Sequence, residues 1–263
     1  MICRHGQRVG SKKGPALRRD SPVRYGCSAA RDAEDGVAGG DPEQVLGRGV
    51  RGREIKQEAR RQLASAGAQQ LSLRAVAREL GMASSALYRY FTSRDELLTA
   101  LIIDAYNELG DAADRALAAT GAGTSRDRWR ALWTATRDWA RANPHEFSLV
   151  FGTPVPGYAA PRTTVEPAAR LPLALLGVVR DAELRPTPPG PPPQGALPEQ
   201  LTRLTADFAL GPPPHVLAPS IGAWVQLIGL IGFELHGHLV GSIDPADDFF
   251  AWTVEQTADA VGL

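Results

Sequence analysis

The chain has 263 residues, 43% of them hydrophobic, which is enough for one large domain or for a small domain joined to a larger one. Its 29 basic and 29 acidic side chains cancel, and no stretch is both long and apolar enough to predict a membrane span, because polar residues interrupt the longest candidate, 221–240. The basic N-terminus is not followed by the apolar segment of a secretory signal, so we expect a cytoplasmic protein with no membrane partner.

The charges are unevenly distributed along the chain. Residues 51–94 contain nine basic and three acidic side chains, a net charge of +6, and residues 1–50 carry +3. The remaining residues, 95–263, carry −9. A basic head joined to an acidic body predicts an anionic partner for the head.

The first fifty residues are rich in Gly, Arg, Ser and Asp and have almost no periodic apolar positions, so we predict that 1–50 are disordered. The two cysteines, Cys3 and Cys27, both lie in this segment. Their number and spacing predict neither a disulfide framework nor a metal site.

A helical pattern begins at Arg53 and ends at Gly67, a typical C-terminal cap. Ser72 is placed to cap a short second helix, Gly81 supplies a turn, and a third short helix runs to about Phe91. The apolar stripes that face the core are Ile55, Ala59, Leu63 and Ala66 in the first helix and Leu73, Val76, Ala77 and Leu80 in the second.

The rest of the chain also has helical periodicity, and no alternating strand pattern of useful length occurs. Ser93 and Glu96 form a predicted capping box before a long helix that ends near Ala118. Further helices are predicted at 125–142, 144–151, 166–182 with a kink at Pro172, 199–210, 219–240 and 247–261, separated by loops at 152–161 and at the Pro-rich segment 185–198. The predicted fold class is therefore all-α.

The segment 73–91 has the spacing of a helix-turn-helix, with two short helices joined by a Gly turn and preceded by a longer amphipathic helix. In the second short helix, Leu87 and Phe91 are four residues apart and can face a core, whereas small polar, Tyr and Arg side chains occupy the other faces. Such side chains suit base edges and phosphates. The alternative is an ordinary amphipathic helix pair in a helical bundle.

The sequence GMASSALYRYFTSRDELL resembles the recognition segment of the TetR family of bacterial transcriptional regulators, and the similarity covers about 51–100. It implies an N-terminal three-helix helix-turn-helix DNA-binding domain at 51–97 and a larger helical ligand-binding and dimerisation domain at 98–263. Ala83 stands where the family usually has Ser, and Ser85 where it often has Gly.

The resemblance also implies which residues contact double-stranded DNA. Tyr88, Tyr90 and Arg94 are expected to hold phosphates, with Arg53 and Ser72 adding contacts at the N-termini of the first two helices. The base-reading candidates are Ala83, Ser84, Ser85 and Arg89. For residues 1–50, the alternatives to disorder are a basic arm that contacts DNA and a start site placed too far upstream.

The segments HEFSLVFGTPVPGYAAP and AWVQLIGLIGFELHGHLVG resemble the effector domain of an actinobacterial-type TetR subgroup with a Trp-His-Gly-like C-terminal domain. That resemblance implies a homodimer formed by the last two helices, about 219–240 and 247–261, and a pocket for an apolar small-molecule effector. Gly222, Gly229, Gly232 and Gly237 fit close helix contacts. The pocket candidates are Leu101, Tyr106, Trp129, Leu132, Trp133, Phe147, Val150, Phe151 and Tyr158.

The implied function is a ligand-responsive repressor that binds a palindromic operator, with the effector shifting the spacing of the two heads. The alternatives are an activator, an effector-independent regulator, and a helical small-molecule carrier or enzyme. No nucleophile with a base and no paired carboxylates stand out, and Glu234 with His238 is a weak candidate metal pair. We therefore expect no enzyme activity, no cofactor and no metal.

Overall fold

The computed structural model describes residues 42–185, 193–207 and 214–263. In these ranges the chain forms ten α-helices and no β-strand, which confirms the all-α prediction. Single turns of 3-10 helix lie at Ala68–Gln70 and Arg162–Thr164. The helices are α1 Pro42–Ala66, α2 Leu73–Glu79, α3 Ser84–Leu87, α4 Arg94–Thr120, α5 Ser125–Ala142, α6 Pro144–Phe151, α7 Val165–Arg180, α8 Leu197–Asp207, α9 Pro214–Leu235 and α10 Asp247–Val261.

The first helix begins earlier than the sequence pattern predicted. Because α1 starts at Pro42, residues 42–50 are helical rather than disordered, and Arg53 lies inside the helix instead of at its N-terminus. Proline is favoured in a first helical turn, and extending an existing helix by one residue is far easier than nucleating a new one. The rest of the predicted disordered segment, 1–41, lies outside the described residues.

Capping side chains fix the boundaries of the short helices. Ser72 Oγ accepts a hydrogen bond from Ala75 N at 3.5 Å and begins α2, and Ser93 Oγ accepts one from Glu96 N at 3.1 Å and begins α4. The Glu96 carboxylate accepts from the backbone N of Thr92 at 2.6 Å, one residue before the position predicted by a capping box. These bonds satisfy N–H groups that have no partner within the helix.

An N-terminal core holds α1, α2 and α3 against the first half of α4. Leu87 of α3 is fully buried in it, as predicted, and Phe91 packs at its edge. The buried members are Ile55, Ala59, Leu63, Leu71, Leu73, Val76, Ala77, Leu87, Leu97, Leu98, Leu101 and Ile102. This core fixes how α3 is presented to solvent.

A second core lies among α4, α5, α6, α7, α9 and α10. The second half of α4 enters it through Ala105, Leu109 and Ala113, so α4 contributes to both cores. Trp129 and Trp133 of α5 are fully buried near its centre, with their ring centroids 6.0 Å apart.

The later helices differ from the prediction mainly at their ends. α9 spans 214–235 instead of 219–240, with Pro219 inside the helix. The helix stops at Leu235 because the chain turns at Gly237, which has a positive φ of 75° that favours glycine. α7 ends two residues early and α10 matches. α8 begins at 197 instead of 199, and residues 208–210 of its predicted range lie outside the described residues. The predicted Pro-rich loop lies partly outside the described residues, at 186–192.

Candidate DNA-binding surface, effector core and subunit face

The recognition segment is held from its buried side. α3 follows Ala83, whose carbonyl accepts hydrogen bonds from Ala86 N and Leu87 N at 2.9 and 3.3 Å, while its methyl side chain provides no cap. The helix spans only Ser84–Leu87 and continues as turns to residue 90, so it is shorter than predicted. The buried Leu87 anchors it and leaves its other faces outward.

The predicted base-reading residues share one exposed surface. Ala83, Ser84, Ser85 and Arg89 are exposed, and 43% of Tyr88 is accessible. Short hydroxyl side chains next to a Tyr and an Arg can approach base edges and phosphate oxygens. The arrangement has the composition and exposure that a DNA-reading surface requires.

Three of the residues predicted to contact phosphates lie outside this exposed surface. Tyr90 is partly buried against the N-terminal core, and Arg53 is exposed on the side of α1. Arg94 donates from Nε to the Leu71 carbonyl at 3.0 Å and from Nη2 to the Ala68 carbonyl at 2.8 Å. Arg94 therefore fastens the start of α4 to the Ala68–Gln70 turn that precedes α2. Its contact with phosphate stays a prediction, as do those of Tyr90 and Arg53.

Ion pairs link α1 to α4 beside Arg53. Lys56 Nζ lies 2.6 Å from Asp104 Oδ2, and Arg60 Nη2 lies 2.6 Å from Glu108 Oε1. These groups border an open, highly charged cleft of about 500 Å³. They fix the orientation of α1, a role that the charge count alone did not reveal, because the acidic partners are about fifty residues away in sequence.

The predicted effector residues lie in the interior, but in two different cores. Trp129, Leu132, Trp133 and Phe147 are buried in the second core, whereas Leu101 is buried in the N-terminal core. Val150 and Phe151 pack at the edge of the second core, and Tyr106, Val150 and Tyr158 pack at the edge of the first.

The partly buried members of this set link α4 to α6 and to the loop that follows it. The Tyr106 hydroxyl donates to the Val150 carbonyl at 3.3 Å, and burial raises the pKa of this phenol. Tyr106 also meets the Phe151 ring edge-on at 6.0 Å, and the Tyr158 hydroxyl lies 2.9 Å from Thr99 Oγ1. In this structure they act as packing contacts, and their role as an effector wall stays a prediction.

A separate cleft of about 470 Å³, here called the junction cleft, lies where the end of α1 and the Ala68–Gln70 turn meet α6 and the end of α9. None of the nine predicted effector residues lines it. Its walls are Leu63, Ala66, Gly67, Ala68, Gln69, Gln70, His145, Ser148, Leu149, Gly152, Thr153, Val155 and His236. Sequence patterns did not indicate it, because its residues come from three distant segments.

A polar clamp joins α5, α9 and α10. Arg137, a buried residue, donates from Nε and Nη2 to the two carboxylate oxygens of Glu234, each at 2.8 Å, and its Nη1 lies 2.8 Å from Asp247 Oδ1. The guanidinium carbon also lies 4.4 Å from the ring centre of Phe250. Arg141 Nε donates to Glu234 at 2.8 Å. Glu234, named above as a weak candidate metal ligand, thus accepts hydrogen bonds from two arginines.

The clamp shifts the titration of its carboxyl groups. Burial acts to raise the pKa of Glu234, but the hydrogen bonds and positive charges of Arg137 and Arg141 outweigh it and lower the pKa below 4.5. The hydrogen bond from Arg137 is the main cause that lowers the pKa of Asp247 below 3.8. Both carboxyl groups are therefore held in their charged form.

Part of the apolar surface of α9 and α10 is exposed to solvent. Val225, Phe233 and Trp252 are 60%, 57% and 56% exposed, and Phe249 stacks on Trp252 with ring centres 5.9 Å apart. By length and composition the segment His215–Leu235 could also cross a membrane, a test that the core helix of a soluble protein also passes. We call this exposed surface the subunit face.

The four glycines predicted to make close helix contacts lie in different settings, three in α9 and one after it. A Cβ added at Gly222 or Gly229 meets nothing within 4 Å in the chain. A Cβ at Gly232 would instead lie 3.8 Å from the Phe147 ring of the same chain, and Gly237 lies in the turn after α9. Gly232 therefore has a helix contact within the chain, with α6, and the prediction was wrong for Gly237, which the turn explains.

Two family models match the sequence. Residues 55–101 match the model of bacterial regulatory proteins of the tetR family, and residues 129–257 match the tetracyclin repressor-like C-terminal domain. The first match contains α2, α3 and the predicted DNA contacts from Ser72 to Arg94. The second contains most of α5, most of α10 and the subunit face.

Curated proteins of similar sequence are named as transcriptional regulators. The chain is 38% identical to the HTH-type transcriptional regulator Rv1816 of Mycobacterium tuberculosis over 207 residues, which cover 76% of this chain and 87% of that protein. The HTH-type transcriptional regulator Mb1846 of Mycobacterium bovis matches equally. The crystal structure of the regulatory protein SCO4313 matches with a TM-score of 0.69 and 33% identity, covering 83% of this chain and 98% of that one.

Proposed function

Since the chain belongs to the TetR family of bacterial transcriptional regulators, whose members are not enzymes, we propose that it is a homodimeric, ligand-responsive repressor of a palindromic operator. The observation that carries the proposal is the exposed polar segment from Ala83 to Arg89, held outward by the buried Leu87. Binding of DNA in the cytoplasm fits this surface and the basic head.

We infer that residues 51–97 form the DNA-binding unit. α3 would enter the major groove, with Ala83, Ser84, Ser85 and Arg89 at base edges. Tyr88 would hold a phosphate beside it, with Tyr90, Ser72, Arg53 and Arg94 as further candidate contacts. The hydrogen bonds from Arg94 to the turn before α2 support this arrangement, since they fix the first helix of the pair against α4.

Dimerisation would use the subunit face. Three large apolar side chains more than half exposed are costly in water, and a second copy of the same face would cover them. The glycines with open space above them would allow the helices of the two protomers to approach closely. Two heads held in this way suit two half-sites about one or more helical turns apart.

We assign residues 98–263 to effector binding and dimerisation. An apolar effector among the aromatic side chains of α4, α5 and α6 would alter the packing of α4, and α4 also belongs to the core of the head. The ligand would thereby shift the population of head spacings away from the one that fits both half-sites. The alternative functions are an activator and a regulator that needs no effector. A reporter assay in a gene-deletion strain distinguishes them from a repressor.

The test is binding of the full chain to the DNA beside its own gene. We expect a footprint with two-fold symmetry and an affinity that falls steeply with salt, because neutralised phosphates release counterions. A random duplex of the same length is the control. Equal affinity for both duplexes, or an asymmetric single half-site footprint, would contradict the proposal. Derepression of the neighbouring gene in the deletion strain would establish the repressor form.

A further inference from the structure

We propose that the junction cleft is a regulatory site for a small amphipathic carboxylic acid, distinct from the aromatic interior. The proposal rests on the DNA-binding function proposed above. The cleft volume of about 470 Å³ lies within the usual range of small-molecule sites. Its residues come from the head, from α6 and from the end of α9, so a bound molecule would touch all three.

One part of the cleft is apolar. Leu63 and Ala66 from the end of α1 and Leu149 and Val155 from α6 and the following loop line it. Leu63 is buried, and Leu149 and Val155 pack against the N-terminal core. This surface suits a hydrocarbon or aryl group of modest size.

The other part is lined by polar side chains that can donate hydrogen bonds. Gln69, Gln70 and Thr153 supply amide and hydroxyl groups, whereas Ser148 Oγ donates to the Pro144 carbonyl at 2.9 Å and lies 3.4 Å from His236 Nε2. Among the residues that line the cleft, His145 and His236 are the ionisable ones.

An imidazole is either neutral or positive, and no carboxylate or basic side chain lines the cleft beside these two. A ligand with a negative charge is therefore favoured over a cation, and hydrogen bonds to a carboxylate are stronger than those to a neutral group. The polar part of the cleft suits an anion, and the apolar part suits a hydrocarbon group. An amphipathic acid has both, whereas inorganic phosphate has no apolar group.

The cleft also has a direct route to the DNA-binding surface. Ala68 and Gln69 lie in its wall, and their carbonyls accept hydrogen bonds from Arg94 Nη2 at 2.8 and 3.3 Å. The same turn leads within two residues to Ser72, the N-cap of α2. An acid that contacts Gln69 or Gln70 would move or stiffen this turn, and with it the position of α2 relative to α4.

The first experiment titrates the full chain with 4-phenylbutyrate and with octanoate by calorimetry, using 4-phenylbutyramide as the neutral counterpart. We expect saturable binding of at least one acid, binding of its amide weaker by about tenfold, and a change in operator affinity of about fivefold or more. If neither acid binds saturably, or if the amide binds as well as its acid, the proposal is overturned.

Variants then locate the site. His145→Asn combined with His236→Asn should weaken acid binding about tenfold and leave operator affinity without acid unchanged. His215→Asn is the matched control, because His215 is exposed on α9 and does not line the cleft. Ala66→Phe, which fills the cleft from its exposed rim, should also abolish acid binding. Equal acid binding by all these proteins overturns the proposal.

The two proposals fail in different ways. Absence of operator binding without any acid would overturn the function proposed for the chain. Operator binding that is intact but insensitive to both acids would overturn only the site in the junction cleft. Thermal unfolding of each variant identifies loss of fold, and the filled variant provides an independent measurement if the double variant is unstable.

Discussion

At the scale of single residues, the exposed hydroxyl of Tyr88 is the simplest test of the recognition surface. We expect Tyr88→Phe to weaken binding to every DNA sequence alike by about 1 kcal/mol, since one phosphate hydrogen bond is lost. Fluorescence anisotropy on operator and random duplexes measures it. Tyr106→Phe is the control, because that hydroxyl donates to Val150 inside the protein. A changed sequence preference at undiminished affinity would refute the positioning role.

Gly152 provides a residue-scale test of the end of α6. A Cβ at this position would lie 2.4 Å from the Ser148 carbonyl oxygen, a backbone atom that cannot move aside easily. We expect Gly152→Ala to lower the free energy of unfolding by about 1–3 kcal/mol.

Urea denaturation measures this change, with Gly177→Ala as the matched control. Gly177 is also a glycine, but it lies within α7 and has open space where a Cβ would be added, so alanine there should stabilise the protein by about 0.5–1 kcal/mol. Equal effects of the two substitutions would show that the contact at Ser148 is not the cause.

At the scale of elements, the polar clamp between α5, α9 and α10 predicts a dependence of stability on pH. The pKa values of Glu234 and Asp247 are lowered in the folded state, so their contribution is complete above the ordinary values of 4.5 and 3.8. It is lost as the pH falls through the lowered pKa values, when protonation removes the charges that face Arg137.

The measurement is the free energy of unfolding between pH 7 and pH 3. Glu234→Gln should be less stable than the natural chain at pH 7, and the difference should shrink toward pH 3. Glu199→Gln, on α8 and outside the clamp, is the control. A difference that stays constant across this range would mean that the charge of Glu234 contributes nothing to stability.

The helices with strong boundary residues could be predicted from sequence almost to the residue. α5 and α6 meet at Asn143-Pro144, where the Pro cannot continue a helix but can begin one, and both have the predicted bounds. The starts of α1 and α9 could not, because Pro42 and Pro214 lie upstream of the apolar pattern. The apolar pattern predicts where the first buried turn of a helix lies. How far the helix extends beyond that turn depends on small local propensities.

The candidate sites were predictable to different degrees. The outward-facing residues of α3 follow from local spacing around Leu87, and their exposure agrees with that spacing. The hydrogen bonds from Arg94 to the Ala68–Gln70 turn and the walls of the junction cleft involve segments distant in sequence. No local pattern records such contacts, because they arise only when the helices pack.

At the scale of the whole molecule, the subunit face predicts how the chain assembles. Gly229→Ala meets no atom within 4 Å in the protomer and should raise the helix stability of α9. In a dimer packed through this face, the added methyl groups would separate the helices, so we expect weaker association. Sedimentation equilibrium measures it, with Gly177→Ala as the control. An unchanged or tighter dimer would place the interface elsewhere.

The alanine that precedes α3 has a consequence for how this protein diverges over evolutionary time. The side chain of Ala83 is exposed and makes no capping hydrogen bond, so its replacement leaves the buried Leu87 and both cores untouched. Under the proposed function, this position changes the preferred operator at almost no cost in folding stability. A duplicated copy of the gene would therefore be able to change its operator preference at this position without losing the fold.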